Sequence, residues 1–204
     1  YFNVNKIGLW EENKYGLKRE KDDEFFTKKY NISIKSLNSK ILESLKILRN
    51  SKYNRNKPII DKKVLTSWNS LSVIGLSESY KATGDMKFLD KAIDILLAIE
   101  SKLISDNLEV QRSLSSSDDN VIFLEDYSYL IASYLNLYES TFDYNLIDKA
   151  DKLLKKALSI FEHSKSPFLR FSSDQSLFFS KNLFVNQDGV MPSANSIMSK
   201  NLFL

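Results

Sequence analysis

The fold of this chain is decided by a stretch that occurs twice: GDMKFLDKA at residues 84–92 and FDYNLIDKA at residues 142–150. Gly84 suits the left-handed position that ends a helix, and the Asp after it can cap the next helix. On both sides of each turn, apolar residues recur every three to four positions, which predicts helices. The stretch therefore predicts two antiparallel helix pairs, related by a shift of 58 residues.

Repeated helix pairs must pack against one another, because each pair alone leaves an apolar face in water. We place the pairs at residues 68–104 and 125–163, with a third unit that starts at residue 192 and is interrupted at residue 204. The predicted fold class is all-α. The pairs form either an open solenoid or a closed α/α toroid, with short β-hairpins or extended loops in the long connections.

We expect two parts in the chain. Residues 1–60 are predicted to form an N-terminal helical segment that ends in a basic connector, and residues 61–204 are predicted to form the hairpin repeats. The long connections, 105–123 and 164–192, both follow the second helix of a pair and therefore gather at one end of the stack. Long loops on one face usually mark the binding face, so we expect any site there.

Composition excludes several classes of function. The 29 basic residues are offset by 26 acidic ones interleaved along the chain, which argues against a nucleic-acid partner. The chain has no Cys and only one His, His163, so we expect no metal and no cofactor. No apolar run is long enough to cross a membrane and the start lacks a signal-peptide pattern, so we expect a cytoplasmic protein. Both ends of the sequence lead us to expect part of a longer chain.

Four phrases carry a family resemblance. They are LTSWN at 65–69, LEDY at 124–127, LYESTFD at 137–143 and MPSANS at 191–196, and they occur in this order. Together they resemble the spermatogenesis-associated, thioredoxin-domain-containing protein family, which includes uncharacterised bacterial members. The resemblance covers nearly the whole chain. Ser70 departs from it, since the family usually has Gly there.

This resemblance implies a thioredoxin-like domain followed by a six-hairpin α/α toroid, similar to the toroids of N-acylglucosamine 2-epimerase and six-hairpin glycosidases. The chain would hold an incomplete, middle part of the toroid. The missing thioredoxin-like domain and the remaining hairpins would then be its natural partners. A two-histidine epimerase mechanism cannot be built within this chain, because His163 is the only His.

Glu125 and Asp126 are the candidate acid and base, because they open a helix at the end with the long connections. Paired carboxylates supply the acid and base of glycosidic chemistry. The alternative is structural: acidic residues in the first turn of a helix are stabilised by its dipole and its free N–H groups. The sequence favours this second interpretation, since it gives no distance between carboxylates.

Five further residues at the predicted helix starts are candidate ligand contacts. They are Trp68, Asn69, Tyr127, Ser193 and Asn195. Trp68 and Tyr127 would form walls for a sugar ring, and the amides of Asn69 and Asn195 would bind its hydroxyl groups. Equally, Trp68 would be wedged between hairpins, and the polar residues would be ordinary helix caps.

Two hypotheses for the function follow. The first is a carbohydrate-related site at the mouth of the toroid, with a carbohydrate or other small molecule as ligand and an unspecified reaction. The alternative is a non-catalytic binding or scaffold module that holds a peptide or a partner domain at the same place.

Overall fold

The structure is a computed structural model, and it describes residues 1–4, 9–10, 14–55, 59–114, 121–173 and 183–204. The described chain is all-α, as predicted, apart from one pair of two-residue strands. The elements are β1 (Leu9–Trp10), β2 (Lys14–Tyr15), α1 (Asp23–Tyr30), α2 (Ile34–Tyr53), α3 (Thr66–Thr83), α4 (Met86–Leu103), α5 (Leu124–Thr141), α6 (Tyr144–Phe161) and α7 (Ala194–Phe203).

The chain divides into two compact units, Tyr1–Ile60 and Asp61–Leu204. In the first unit, β1 pairs with β2 in antiparallel orientation and α1 packs against α2. Asp22 caps α1 by accepting a hydrogen bond from the Phe25 N–H. The predicted basic connector, residues 51–58, begins within α2, which continues to Tyr53, and its residues 56–58 lie outside the described residues.

The predicted repeat is present in the second unit at the level of single residues. All four helices of the two pairs, α3 to α6, have 18 residues, and α5 and α6 begin 58 positions after α3 and α4. Gly84 and Phe142 both end their helices in the left-handed conformation, at φ 70° and 57°. Asp85 and Asp143 then cap the helices that follow. The first pair starts at Thr66, two residues before its predicted start.

Helices α3, α5 and α7 lie side by side and form an inner row, while α4 and α6 each pack on the helix before them. Residues of α3 and α5 that are 58 positions apart bind each other. The Asn136 amide donates to Glu78 at 2.9 Å, and Lys81 pairs with Glu139 at 2.7 Å. These two contacts make α3 and α5 parallel neighbours with no relative shift. Their N-terminal ends therefore lie at the same end of the inner row.

The core fills the space between the inner row and the packed outer helices. Its largest fully buried side chains belong mostly to α5, which has inner-row neighbours on both sides. On α4, four residues of the predicted apolar face are buried, Leu89, Ala92, Leu96 and Ile99, and the fifth, Ile93, is partly buried. This core holds the starts of the inner helices in fixed positions.

The long connections run back to the starts of the inner helices. The connection after α4 forms an antiparallel bridge between Ser113 and Leu65, just before α3. The connection after α6 does the same between Ser172 and Phe123, just before α5. Short β-hairpins were predicted in the long connections; among the described residues of these connections, the β-pairing consists of isolated bridges. Residues 115–120 and 174–182, within the predicted loops, lie outside the described residues.

Candidate functional site

The N-terminal ends of α3 and α5, together with the connection 104–114, form the region that we call the mouth. The Thr66 N–H donates to the Arg112 carbonyl at 2.9 Å, which fixes this connection against the first turn of α3. Because α3 and α5 are in register, the first turn of α5 lies beside that of α3. Helix register and backbone pairing thus bring three separate segments to one place.

Asp126 lies at the centre of the mouth and is fully buried. Its Oδ1 accepts a hydrogen bond of 3.1 Å from the Ser67 N–H of α3, while Oδ2 has no hydrogen-bond partner. Burial raises the pKa of this carboxyl to about 7; the Arg112 charge opposes that rise and the Glu125 charge adds to it. Asp126 is therefore a group that changes its charge near neutral pH.

Arg112 is a residue of the mouth that sequence analysis missed. Its Nη1 lies 3.6 Å from Asp126 Oδ2 and 3.6 Å from Glu125 Oε2. The guanidinium carbon lies 4.6 Å from the centre of the Phe123 ring, a cation–π contact that adds to the backbone pairing. The only sequence signal is weak: Arg112 is the single basic residue between 104 and 114, in a connection that returns to the acidic helix start.

Glu125 is the accessible carboxylate of the pair. Its side chain is 21% exposed, whereas that of Asp126 is closed from solvent. Arg112, 35% exposed, therefore lies between one open and one closed carboxylate. A ligand that reaches the mouth can contact Glu125 and Arg112 directly, and Asp126 only through them or after a rearrangement.

Tyr127 does not form a wall of the mouth, contrary to the interpretation of this residue as a ligand contact. Its ring is fully buried and packs edge-on against Phe161, with ring centres 5.7 Å apart. The hydroxyl donates to the Leu108 carbonyl at 2.7 Å and accepts from the Val110 N–H at 3.2 Å. Burial raises the pKa of Tyr127 to about 12. Tyr127 thus anchors the connection that carries Arg112.

Trp68 and Asn69 lie on the first turns of α3, next to the Ser67 amide that binds Asp126. Trp68 is 61% exposed, so its indole is open to a ligand and is not wedged between the described hairpins. The Asn69 Nδ2 donates to the Leu65 carbonyl at 2.7 Å. Asn69 therefore stabilises the start of α3, while its Oδ1 makes no hydrogen bond within the described chain.

Ser193 and Asn195 belong to a different network. Ser193 caps α7 by accepting from the Ser196 N–H at 3.2 Å. The Asn195 Oδ1 accepts from the Leu169 N–H at 2.8 Å, and its Nδ2 donates to the carbonyls of Leu169 and Val185 at 3.0 and 2.9 Å. No hydrogen bond or ion pair in the described chain joins these two residues to the mouth carboxylates. Ser193 therefore acts as a helix cap, and Asn195 holds two loop segments together through their backbone groups.

Within the described residues, no group of three or more His, Cys, Asp and Glu side chains is arranged to hold a metal ion. His163 lies two residues after the end of α6, where its Nδ1 accepts a hydrogen bond of 3.3 Å from the Lys165 N–H. Among the helices described, none is both long and apolar enough to span a lipid bilayer.

Comparison with known sequences finds relatives of much greater length. An uncharacterized protein of Caenorhabditis elegans is 32% identical over 200 residues, which cover 94% of this chain and 27% of that protein. Human spermatogenesis-associated protein 20 is 23% identical over 186 residues, 85% of this chain and 24% of that protein. The chain thus spans about a quarter of the relatives' length. No model of a protein family matches it.

Solved structures with a similar fold support the predicted toroid. A GH76 alpha-mannanase of Bacteroides thetaiotaomicron superposes with a TM-score of 0.54 at 18% identity, over 65% of this chain and 36% of that one. A D-mannose isomerase superposes with a TM-score of 0.51 at 13% identity, over 71% and 40% of the two chains. At these identities the likeness shows the fold alone, which is part of a six-hairpin α/α toroid.

Proposed function

We propose that this chain, a relative of spermatogenesis-associated protein 20 that carries part of an α/α toroid, forms one side of a carbohydrate-related site. The observation that carries the proposal is the charge cluster at the mouth. There Arg112 pairs with both the solvent-exposed carboxylate of Glu125 and the buried one of Asp126. The similar folds of a mannanase and a mannose isomerase support a sugar as the ligand.

In this site, Glu125 is the acid or base that meets the ligand, because it is the carboxylate with an exposed face. Asp126 is a positioning residue: it orients the Arg112 guanidinium and ties the start of α3 through the Ser67 N–H. Adjacent residues on one helix turn do not span a glycosidic bond, so any second catalytic carboxylate has to come from elsewhere in the parent protein.

The exposed indole of Trp68 supplies the stacking surface that sugar rings commonly use. Trp68 follows Ser67, whose N–H contacts Asp126, so the indole belongs to the same first turn of α3 as the group that binds this carboxylate. Asn69, partly buried on the same helix, offers its Oδ1 to a ligand hydroxyl. Trp68, Asn69 and Glu125 are thus the proposed ligand contacts.

Sugar binding to the whole parent protein tests this function. A panel of mono- and disaccharides would be titrated by calorimetry against the unmodified protein, Trp68→Ala and Glu125→Gln. We expect each change to weaken binding about tenfold or more, the effect of about 1.4 kcal/mol. Tyr144→Ala is the matched control, since Tyr144 is also an exposed aromatic residue but lies at the tight-turn end. Absence of binding to any sugar, or unchanged affinity in both variants, would contradict the proposal.

The alternative function, a non-catalytic module that binds a peptide or partner domain, is favoured by a separate observation. The polar groups of Tyr127, Ser193 and Asn195 are committed to holding the chain's own loops. For this function, the thioredoxin-like domain implied by the family would be added as a separate protein. Weaker binding of that domain to Trp68→Ala, with no effect of Glu125→Gln, would support the alternative over the carbohydrate site.

A further inference from the structure

The charges at the mouth limit the ligands that it accepts. Arg112 is the cation in contact with both carboxylates, at 3.6 Å from each. When Glu125 and Asp126 are both ionised, this cluster has one excess negative charge. Because part of the cluster is buried, the surrounding solvent screens that charge poorly, and it repels an anionic ligand more strongly than it would on an open surface.

The helix starts offer little compensation for an anion. Free N–H groups at the start of a helix are a common anion-binding site. Here several of them are occupied by the protein: the Thr66 N–H binds the Arg112 carbonyl, the Ser67 N–H binds Asp126 and the Leu124 N–H binds the Phe171 carbonyl. An anionic group would have to displace these contacts.

Arg112 is also fixed in place. Its carbonyl is bound by α3, and its guanidinium lies on the Phe123 ring. It cannot leave the two carboxylates to pair with an acidic ligand unless both the ring contact and the ion pairs are broken. The guanidinium therefore orients the two carboxylates and is poorly placed to receive an anion.

Three buried polar atoms of this cluster have no hydrogen-bond partner: Ser67 Oγ, Arg112 Nη1 and Asp126 Oδ2. A hydroxyl group can donate to a carboxylate and accept from a guanidinium at once, whereas a carboxylate or phosphate can only accept. At the solvent-exposed side of the cluster, the accessible carboxylate is Glu125, which can only accept hydrogen bonds. Hydroxyl and ammonium groups can donate to it, whereas carboxylate and phosphate groups cannot.

We propose that the mouth selects neutral sugars and amino sugars and rejects sugar acids and sugar phosphates. This inference rests on the proposed carbohydrate function and specifies its substrate class.

The preference for neutral sugars over anionic ones should increase as the pH rises. The groups that face Asp126 are the Ser67 N–H from α3, Arg112 from the connection and Glu125 from α5 itself. Glu125 in turn faces Tyr129, whose hydroxyl donates to the Pro192 carbonyl. Because burial raises the pKa of Asp126 to about 7, the cluster gains its excess negative charge as the pH rises through that value.

Three sugars with the same ring test the inference: glucose, glucosamine and glucuronate, each titrated against the whole parent protein. We expect glucuronate to bind about tenfold more weakly than glucose or worse, and glucosamine at least as tightly as glucose. The gap between glucose and glucuronate should widen from one pH unit below the Asp126 pKa of about 7 to one unit above it.

Glu125→Gln removes the excess negative charge of the cluster, so it should reduce the difference in affinity between glucose and glucuronate. The matched control is Glu78→Gln, which changes the net charge equally but lies near the C-terminal end of α3. Glucuronate binding as tightly as glucose, or a difference in affinity between the two sugars that does not change with pH, would overturn the inference and leave the carbohydrate site standing. If none of the three sugars nor any other sugar binds, the proposed function fails and the inference fails with it.

Discussion

The ionisation of Asp126 is coupled to the stability of the protein. Burial raises its pKa from the usual 3.8 to about 7, so the folded state holds this proton more tightly than the unfolded state does. The contribution of Asp126 to stability is therefore fully present below about pH 4 and is lost as the pH rises to about 7. The expected slope approaches about 1.4 kcal/mol per pH unit at its steepest, reduced by any water that enters.

Asp126→Asn isolates that slope. The Asn side chain can still accept the Ser67 N–H, but it does not titrate. Denaturant unfolding across this pH range should show the loss of stability in the unmodified chain and a flatter profile in the variant. Parallel profiles for the two proteins would contradict the raised pKa.

A second prediction at this scale concerns the Tyr127 hydroxyl. Tyr127→Phe leaves the Leu108 carbonyl and the Val110 N–H without their partner in a buried place. We expect the free energy of unfolding to fall by about 1–3 kcal/mol. Tyr80→Phe is the control, because the Tyr80 ring also packs against the core but its hydroxyl makes no hydrogen bond in the described chain. Equal effects of the two changes would contradict the anchoring role of Tyr127.

The sequence placed the carboxylates at a helix start but did not reveal Arg112. The reason is physical: a helix start is encoded locally, by capping residues and apolar periodicity, whereas Arg112 reaches the site through backbone pairing with Thr66, far away in the chain. For Tyr127 the sequence indicated the position but not the environment of the side chain. A Tyr near a helix start fits both an exposed wall and a buried anchor, and only the position of Leu108 and Val110 decides between them.

At the scale of the elements, the repeat was predictable because each turn is encoded in two neighbouring residues. Gly84 and Phe142 occupy equivalent left-handed positions, followed by the caps Asp85 and Asp143. The ion pair between Lys81 and Glu139 and the bonds in the long connections depend on how the pairs stack. The helix pairs were therefore predicted more fully than the contacts that join them.

The two turns give a reciprocal test. Phe142 has φ 57°, a conformation that costs an L-residue roughly 1 kcal/mol and glycine very little. Phe142→Gly should therefore be more stable than Phe142→Ala, which loses the same ring but keeps the backbone strain. Gly84→Ala should be destabilised by about the same amount, since Gly84 has φ 70°. Thermal unfolding of these variants measures both effects; no difference between Phe142→Gly and Phe142→Ala would contradict the expectation.

In the second unit as a whole, the packing of the inner row determines which helix surfaces are buried and which are exposed to solvent. Helix α5 has a neighbour on each side within this row, and most of its residues from Leu124 to Leu137 are buried. Helices α3 and α7 each have one inner-row neighbour among the described elements. The fold therefore protects the residues at the centre of the mouth and leaves Trp68 and the end of α7 open.

We expect the 204-residue chain by itself to be marginally stable or to associate, because α7 ends in a cluster of exposed apolar side chains. Leu202 and Phe203 are 55% and 88% exposed. Sedimentation over about a hundredfold range of protein concentration should show a mass that rises with concentration. Replacing both residues with Ser should shift the chain towards monomer, whereas Met86→Ser, at an exposed apolar site at the tight-turn end, should not. A monomer with a sharp, concentration-independent melt would contradict this expectation, since open apolar edges of a stacked fold should either bind one another or weaken it.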